Sequence, residues 1–303
     1  MDKIICFFES ELSEIKSERN VLLSSLSTFK IGGPADIAVY PESREELITS
    51  LRAAKRSGIR YTVIGNGSNI LFDDRGYRGA VIVTGRIRDV GVDGNIITAD
   101  SGVPFTALAA RAAAEGLSGL EFAYGIPGCV GGAVVMNAGA YGGAVSDVLL
   151  SSDYYDTVRD ETVTISHGDH GYGYRKSVYM DCPERVVLGA VFSLTYSDSD
   201  SVRAKNEENM NARRSKQPLE YPSAGSVFKR PEGYFVGKMV EDLGLKGFLV
   251  GGAQISEKHG GFIINRGGAT AEDVLKLIRF TEEKVYREYG VELECEIRYI
   301  PDK

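Results

Sequence analysis

Residues Gly125 to Gly143 read GIPGCVGGAVVMNAGAYGG. Seven of these nineteen residues are glycine, and none is charged. A stretch so poor in side chains cannot form a core by itself, but it brings bare backbone N–H groups close to a ligand. A second segment of the same kind, Gly65-Asn66-Gly67-Ser68-Asn69, follows the strand-like run Tyr61-Thr62-Val63-Ile64. Either segment alone reads equally well as an ordinary tight turn. Two in one chain point to a large anionic ligand held mainly by backbone, a dinucleotide by size.

The common nucleotide fingerprints do not fit. A Walker loop ends in Gly-Lys-Ser/Thr, and the chain has no such triplet. The pattern G-x-G-x-x-G fails at Gly65, because its last position is Ile70. These exclusions leave a dinucleotide binder that is neither a P-loop enzyme nor a Rossmann dehydrogenase, and they narrow the field to flavin folds of another architecture.

Bulk properties agree. With 303 residues the chain has room for two or three domains. No apolar run approaches the roughly 18 residues of a membrane helix. The start MDKIICFFES is too short in apolar residues for a signal peptide, so no membrane and a cytoplasmic setting are expected. A net charge of -7 argues against general nucleic-acid binding. The cysteines Cys6, Cys129, Cys182 and Cys295 are scattered without a CxxC pair, so no metal site is expected; Cys129 reads as a small buried filler. His167 and His170, in SHGDHGYGY, read as a solvated loop.

Helices are predicted after the capping box Ser43-Arg44-Glu45-Glu46 up to Gly58, over Pro104–Glu115, over Asn206–Lys216, and from Thr270 to Gly290 with Val274, Ile278, Thr281, Val285 and Tyr289 on one face. Strands are predicted at 37–40, 61–64, 80–83, 95–99, 186–195, 262–264 and 293–300. They interleave without a strict βαβ repeat, which predicts an α+β fold. The polar run Ser197–Ser201 is the best candidate domain boundary.

Polar residues concentrate in Gly173-Tyr174-Arg175-Lys176-Ser177, in Gly225 to Pro231, and in Leu293-Glu294-Cys295-Glu296-Ile297-Arg298. On pattern alone Ser226 is a turn serine, Arg175 a surface charge and Glu296 a surface acid. Arg213, Arg214, Lys216, Lys229 and Arg230 form a basic group in an acidic chain, suited either to solvent or to a diphosphate.

In order along the chain, LSTFKIGGPADIAVYP (26–41), VIGNGSNILF (63–72), the Gly125–Gly143 stretch, GYRKS (173–177), GSVFKRP (225–231), GGAQISEKHGGFIIN (251–265) and LECEIR (293–298) closely resemble the UDP-N-acetylenolpyruvoylglucosamine reductase family. The short spacing between GYRKS and GSVFKRP resembles its compact class. The resemblance implies an α+β fold: a two-part FAD-binding unit of the vanillyl-alcohol-oxidase type plus an α+β substrate-binding domain. The implied boundaries are 1–75 joined by the last strand 292–303, then 76–198, then 199–291. It implies non-covalent FAD held by Gly65, Asn66, Gly67, Ser68, Asn69, Gly125, Gly128, Gly131, Gly132, Gly139 and Arg213. It implies NADPH as co-substrate and a UDP-sugar enolpyruvate as substrate, received by Tyr174, Lys216, Lys229 and Arg230. Arg175, Ser226 and Glu296 match the family's catalytic residues: Ser226 the proton donor, Glu296 the assisting carboxylate, and Arg175 the cation for developing charge. A serine hydroxyl is a poor acid unaided, and Lys229 is the candidate helper. Many family members carry Asn where this chain has Arg230. Two other readings stay open: a different flavoenzyme of the same fold, and a non-catalytic UDP-sugar or flavin sensor. A histidine tether for flavin is excluded in either glycine-rich segment, since no histidine precedes His167.

Overall fold

The Ser43 hydroxyl accepts the N–H of Glu46 at 3.2 Å, and helix Arg44–Ser57 follows. The return bond of the capping box lands one residue early: the Glu46 carboxylate accepts the N–H of Glu42 at 2.8 Å. The helix stops at Gly58, whose φ of 68° suits a residue without Cβ. Its buried stripe, Leu47, Leu51, Ala53 and Ala54, packs with Phe8 of helix Asp2–Glu11 on Ile37, Val39, Ala80 and Ile82 of a sheet. The strand order of that sheet is Ser17–Leu22, Pro34–Val39, Tyr77–Val83, Tyr61–Ile64. Tyr61–Ile64 lies parallel to its neighbour, with Tyr61 opposite Ala80 and Ile64 opposite Val83.

The computed structural model describes residues 2–12 and 14–303. One unit comprises the residues up to Arg19, Ile37–Asn66 and Gly79–Ala212; a second comprises Asn20–Asp36, Gly67–Arg78 and Arg213–Lys303. These limits differ from the expected boundaries at 75/76 and 198/199. Ser197–Ser201 is not a linker. Asp198 accepts both the N–H (2.8 Å) and the hydroxyl (2.9 Å) of Ser201, and helix Ser199–Lys216 starts there rather than at Asn206. Asp and Ser at that place are capping chemistry, which resembles linker chemistry in composition only.

The first unit also holds an antiparallel sheet in the order Glu161–Ser166, Leu149–Asp156, Arg185–Ser193, Ile96–Asp100, Val90–Asp93. Its apolar side chains, among them Ile97 and Phe192, form one core with Phe105 and Leu108 of helix Phe105–Ala114 and Val130 and Val134 of helix Val130–Met136.

In the second unit, helix Ala271–Tyr289 buries Val274, Leu277, Ile278, Thr281 and Val285. Its apolar face shares a core with Ala253, Ile255 and Ile263 of the antiparallel sheet Leu249–Val250, Ala253–Ile255, Ile263–Asn265. The predicted last strand is shorter than expected. Only Arg298–Ile300 pairs as a strand, parallel to Ile70–Phe72. Residues 293–297 pair with a loop, making one isolated bridge between Cys295 and Phe228. Among the described residues, no helix is long and apolar enough to cross a membrane.

The start of helix Ala271–Tyr289 has two caps. Thr270 and Asp273 exchange bonds of 3.1 and 3.0 Å, and the carboxylate of Asp74 accepts the N–H groups of Ala271 (2.7 Å) and Glu272 (3.1 Å). Losing such a cap costs about 1–2 kcal/mol. Asp74→Ala is therefore expected to lower the unfolding free energy by that amount, seen as a lower urea midpoint at unchanged m-value. An unchanged midpoint would mean that Thr270 and Asp273 cap the helix alone.

Candidate active site

The glycine-rich stretch enters through Gly128, whose carbonyl accepts the N–H of Phe105 at 3.0 Å. Cys129 ends the extended segment, and helix Val130–Met136 begins. The N–H of Val130 goes to Val103 O (2.9 Å) and that of Gly131 to Ser101 O (2.8 Å). The N–H of Gly125 goes to Thr106 Oγ1 at 3.1 Å. So the expected cradle is narrower than the run of glycines. Gly125 and Gly131 use their donors on the protein, and Gly131 serves close packing: a Cβ there would lie 2.9 Å from Ser101 Cβ. Gly132 differs. It is exposed in the first helical turn, and a Cβ there would meet only Cys129 Sγ, at 3.9 Å.

The other glycine turn touches this region within the first unit. Asn66 Nδ2 donates to Pro127 O at 3.0 Å. A Cβ on Gly65 would overlap the Cys129 sulfur. Cys129 is 2% exposed and burial pushes its thiol up, so it is inert filler that fixes how closely the two turns approach. Ser101 Oγ is buried beneath Gly131 and has no hydrogen-bond partner among the described residues. An open first turn at Gly132, two glycine turns in close approach and an orphaned hydroxyl fit a flavin dinucleotide.

At its other end the helix stops on Asn137, in the left-handed region at φ 42° and ψ 56°. A tight hairpin follows, Gly139–Ala140 against Gly143–Ala144. The Gly139 carbonyl accepts Arg175 Nη2 at 3.3 Å. Arg175 and Tyr174 are the two turn residues between Gly173 and Lys176, which exchange N–H···O bonds of 3.2 Å each way. Arg175 has φ 51°, a demand that glycine or asparagine ordinarily meets, and its guanidinium lies 5.2 Å from the centre of the Tyr174 ring. Such a backbone costs about 1–3 kcal/mol and persists only where the surroundings impose it.

Of the two histidines beside this turn, His167 is exposed, as a solvated loop requires, and only His170 departs from that expectation. His170 is fully buried. Its Nδ1 faces Ser166 O at 2.9 Å and so carries the proton; its Nε2 accepts from Ser152 Oγ at 2.7 Å. The Tyr172 ring stacks on it at 4.9 Å, and burial pulls its pKa down. His170 is a neutral, satisfied core residue. Among the described residues, no group of three or more His, Cys, Asp or Glu side chains could hold a metal ion.

In the second unit, Ser226 forms an isolated bridge with Phe262, and Val227 N donates to Gly261 O at 2.9 Å. On the other side Glu296 N donates to Val227 O (2.7 Å) and Lys229 N to Glu294 O (2.8 Å). The Ser226 and Glu296 segments therefore run side by side, fixed by backbone. Asn69, at the end of the glycine turn, donates its side-chain amide to Glu296 O at 3.0 Å. Gly67 is buried, its carbonyl accepting the N–H of Thr28 at 3.2 Å, and Thr28 Oγ1 reaches Ser223 O at 2.7 Å.

The basic group is not a single surface. Arg213 is buried, Lys216 is exposed, Lys229 is ion-paired with Glu294, and the Arg230 guanidinium sits 3.8 Å from the centre of the Phe235 ring. The ammonium of Lys229 is thus shared with Glu294. Sequence reading overlooked Asn137, Thr28, Glu294 and Asn265, whose side chain donates to Phe29 O at 3.1 Å. Asn137 had a visible signal, an Asn directly after a helical apolar run, where left-handed caps occur.

Comparison with known proteins matches residues 35–177 to an FAD-binding domain, and residues 217–300 to the C-terminal domain of UDP-N-acetylenolpyruvoylglucosamine reductase. With the glycine cradle this defines the class: an FAD-dependent oxidoreductase of the α+β type. A UDP-N-acetylenolpyruvoylglucosamine reductase of Caldicellulosiruptor bescii is 49% identical over 92% of this chain and 88% of its own. That of Clostridium novyi is 43% identical over 97% and 95%. The crystal structure of the reductase from Thermus caldophilus superposes with a TM-score of 0.81 at 36% identity, covering 95% of this chain and all of that one. The chain belongs to the UDP-N-acetylenolpyruvoylglucosamine reductase family.

Proposed function

We propose that the chain reduces the enolpyruvyl ether of UDP-N-acetylglucosamine-enolpyruvate to UDP-N-acetylmuramate, a step of peptidoglycan precursor synthesis, in the cytoplasm. The observation that carries this reading is the bond from Asn69 to the Glu296 carbonyl. It ties the glycine turn suited to a flavin to the acid segment that runs beside Ser226. When bound, FAD supplies a hydride relay from NADPH to the alkene. Gly65 to Asn69, Gly128, Gly132 and Arg213 hold it; Gly125, Gly131 and Gly139 provide room and shape. Hydride addition at one alkene carbon drives charge through the other into the carboxylate, as an enolate. Arg175 opposes that charge. Ser226 gives its proton to the carbon beside the carboxylate, and Glu296 stabilises or reprotonates the site. Tyr174, Lys216, Lys229 and Arg230 receive the UDP-sugar.

The flavin is held without a covalent bond. The two glycine segments contain no histidine, and the buried Cys129 thiol keeps its proton. The purified protein is expected to be yellow, to bleach anaerobically with NADPH, to recover colour with the enolpyruvyl substrate, and to release all its flavin on acid denaturation. Flavin remaining with the precipitated chain would overturn the non-covalent assignment. Bleaching without recovery by that substrate would overturn the reaction itself.

A further inference from the structure

Arg175 occupies a left-handed turn position with a side chain ill suited to it, and the hairpin that presents it is a single two-residue turn. Three bonds staple that hairpin and the residues flanking it to the end of helix Val130–Met136. Tyr172 OH donates to Val134 O at 3.3 Å, and Ser177 Oγ to Val135 O at 2.6 Å. Between them, Asn137 Nδ2 donates to Gly173 O at 3.0 Å. Of these only the Asn137 bond acts on a residue of the hairpin itself. The other Asn137 atom is occupied too: its Oδ1 accepts the N–H of Ser146 at 2.9 Å, and the side chain is 7% exposed.

We propose that Asn137 is a positioning residue for Arg175, holding the Gly173–Lys176 turn in its left-handed geometry through the Gly173 carbonyl. This rests on the reading of Arg175 as the cation opposing charge in the substrate. Backbone conformation alone does not explain Asn137. A left-handed helix end favours glycine, which has no side chain to strain. Asparagine tolerates that conformation while its amide spans two separate segments, the turn at Gly173 and the short helix Val145–Val148 at Ser146. The same short helix exposes Gly132 at its other end. From Gly132 to Asn137 the rise is fixed at about 7.5 Å. One rod therefore sets the arginine turn relative to the glycine turn suited to the flavin.

The test uses the flavin-loaded enzyme and two variants. Asn137→Asp keeps an acceptor for Ser146 but cannot donate to Gly173; Asn137→Gly keeps the backbone conformation and loses both bonds. In both, hydrogen exchange at the amides of Gly173 and Lys176 is expected to accelerate at least about tenfold, as expected when a local opening becomes easier. Flavin reduction by NADPH and flavin affinity of the apoprotein should stay within about twofold. Reoxidation by the enolpyruvyl substrate should fall about a hundredfold, the scale of a misplaced catalytic group. Unchanged exchange at both amides would overturn the proposal, as would equal slowing of both half-reactions with loss of flavin. Arg175→Ala separates the proposal from the reading beneath it. If Arg175→Ala reoxidises slowly while the Asn137 variants reoxidise normally, the positioning role alone falls. If Arg175→Ala reoxidises at the wild-type rate, the catalytic reading of Arg175 falls.

Discussion

In Ser226→Ala, anaerobic flavin reduction by NADPH is expected to run at the wild-type rate, while reoxidation by the enolpyruvyl substrate slows at least about a hundredfold. The asymmetry follows from where the proton is needed. Hydride transfer from NADPH to the flavin creates no carbanion, so a donor at Ser226 has nothing to do in that half. Hydride addition to the alkene leaves an enolate that persists until a proton arrives. The structure makes the substitution clean. The Ser226 segment is fixed by backbone, through Val227 N to Gly261 O, Glu296 N to Val227 O and the bridge to Phe262. None of these bonds uses the hydroxyl, so stability should move by no more than about 0.5 kcal/mol. A plain turn serine predicts two unchanged half-reactions. Equal slowing of both halves, with flavin retained, would remove Ser226 from the donor role. Lys229, the sequence-level candidate for assisting the hydroxyl, is ion-paired with Glu294. Its charge is therefore partly neutralised, while the backbone bond from Glu296 N to Val227 O seats the Glu296 segment beside Ser226.

Local chemistry explains what the sequence disclosed. Ser43 and Thr270 cap their helices through residues three positions on, and Gly58 and Gly290 end them with their own backbone. These features span one turn and leave their mark in adjacent letters. Failures occur where the deciding partner is distant. Asp198 and Ser201 look like a linker until a helix forms behind them. His170 looks solvated, yet its Nε2 partner Ser152 comes from a strand eighteen residues earlier. Residues 293–297 look like a strand, but their partners are a serine loop and the Asn69 amide. The same holds for the site. Ser226, Arg175 and Glu296 stood out through family motifs, whereas Asn137 acts through a loop whose partner lies thirty-six residues on.

The second large effect is expected in the glycine turn, where alanine substitutions two residues apart should differ in kind. A Cβ on Gly65 would overlap the Cys129 sulfur, while the Cys129 Cβ stays 3.5 Å away. Gly65 does not occupy the left-handed region. Its constraint is therefore space taken by one side chain. A Cβ on Gly67 would overlap the Leu26 carbonyl oxygen and lie 3.0 Å from Ser27 Cα, and Gly67 has φ 60°. Its constraint is backbone on both counts. Gly65→Ala should cost about 1–3 kcal/mol through overpacking and should lose flavin with it. Cys129→Ala should restore most of that loss, because trimming the sulfur leaves ordinary contact at the Cβ; the pair is coupled rather than additive. Gly67→Ala should cost about 2–5 kcal/mol, overpacking plus the left-handed penalty, and Cys129→Ala should not relieve it. Urea midpoints and the flavin content of the purified chains distinguish these outcomes. If Gly65→Ala kept full flavin without the second substitution, the sulfur would be free to move aside, and close approach of the two turns would not be what Gly65 is for. If Cys129→Ala rescued Gly67→Ala as well, the obstacle at Gly67 would lie in side-chain packing, not in the Leu26 carbonyl and the backbone angle.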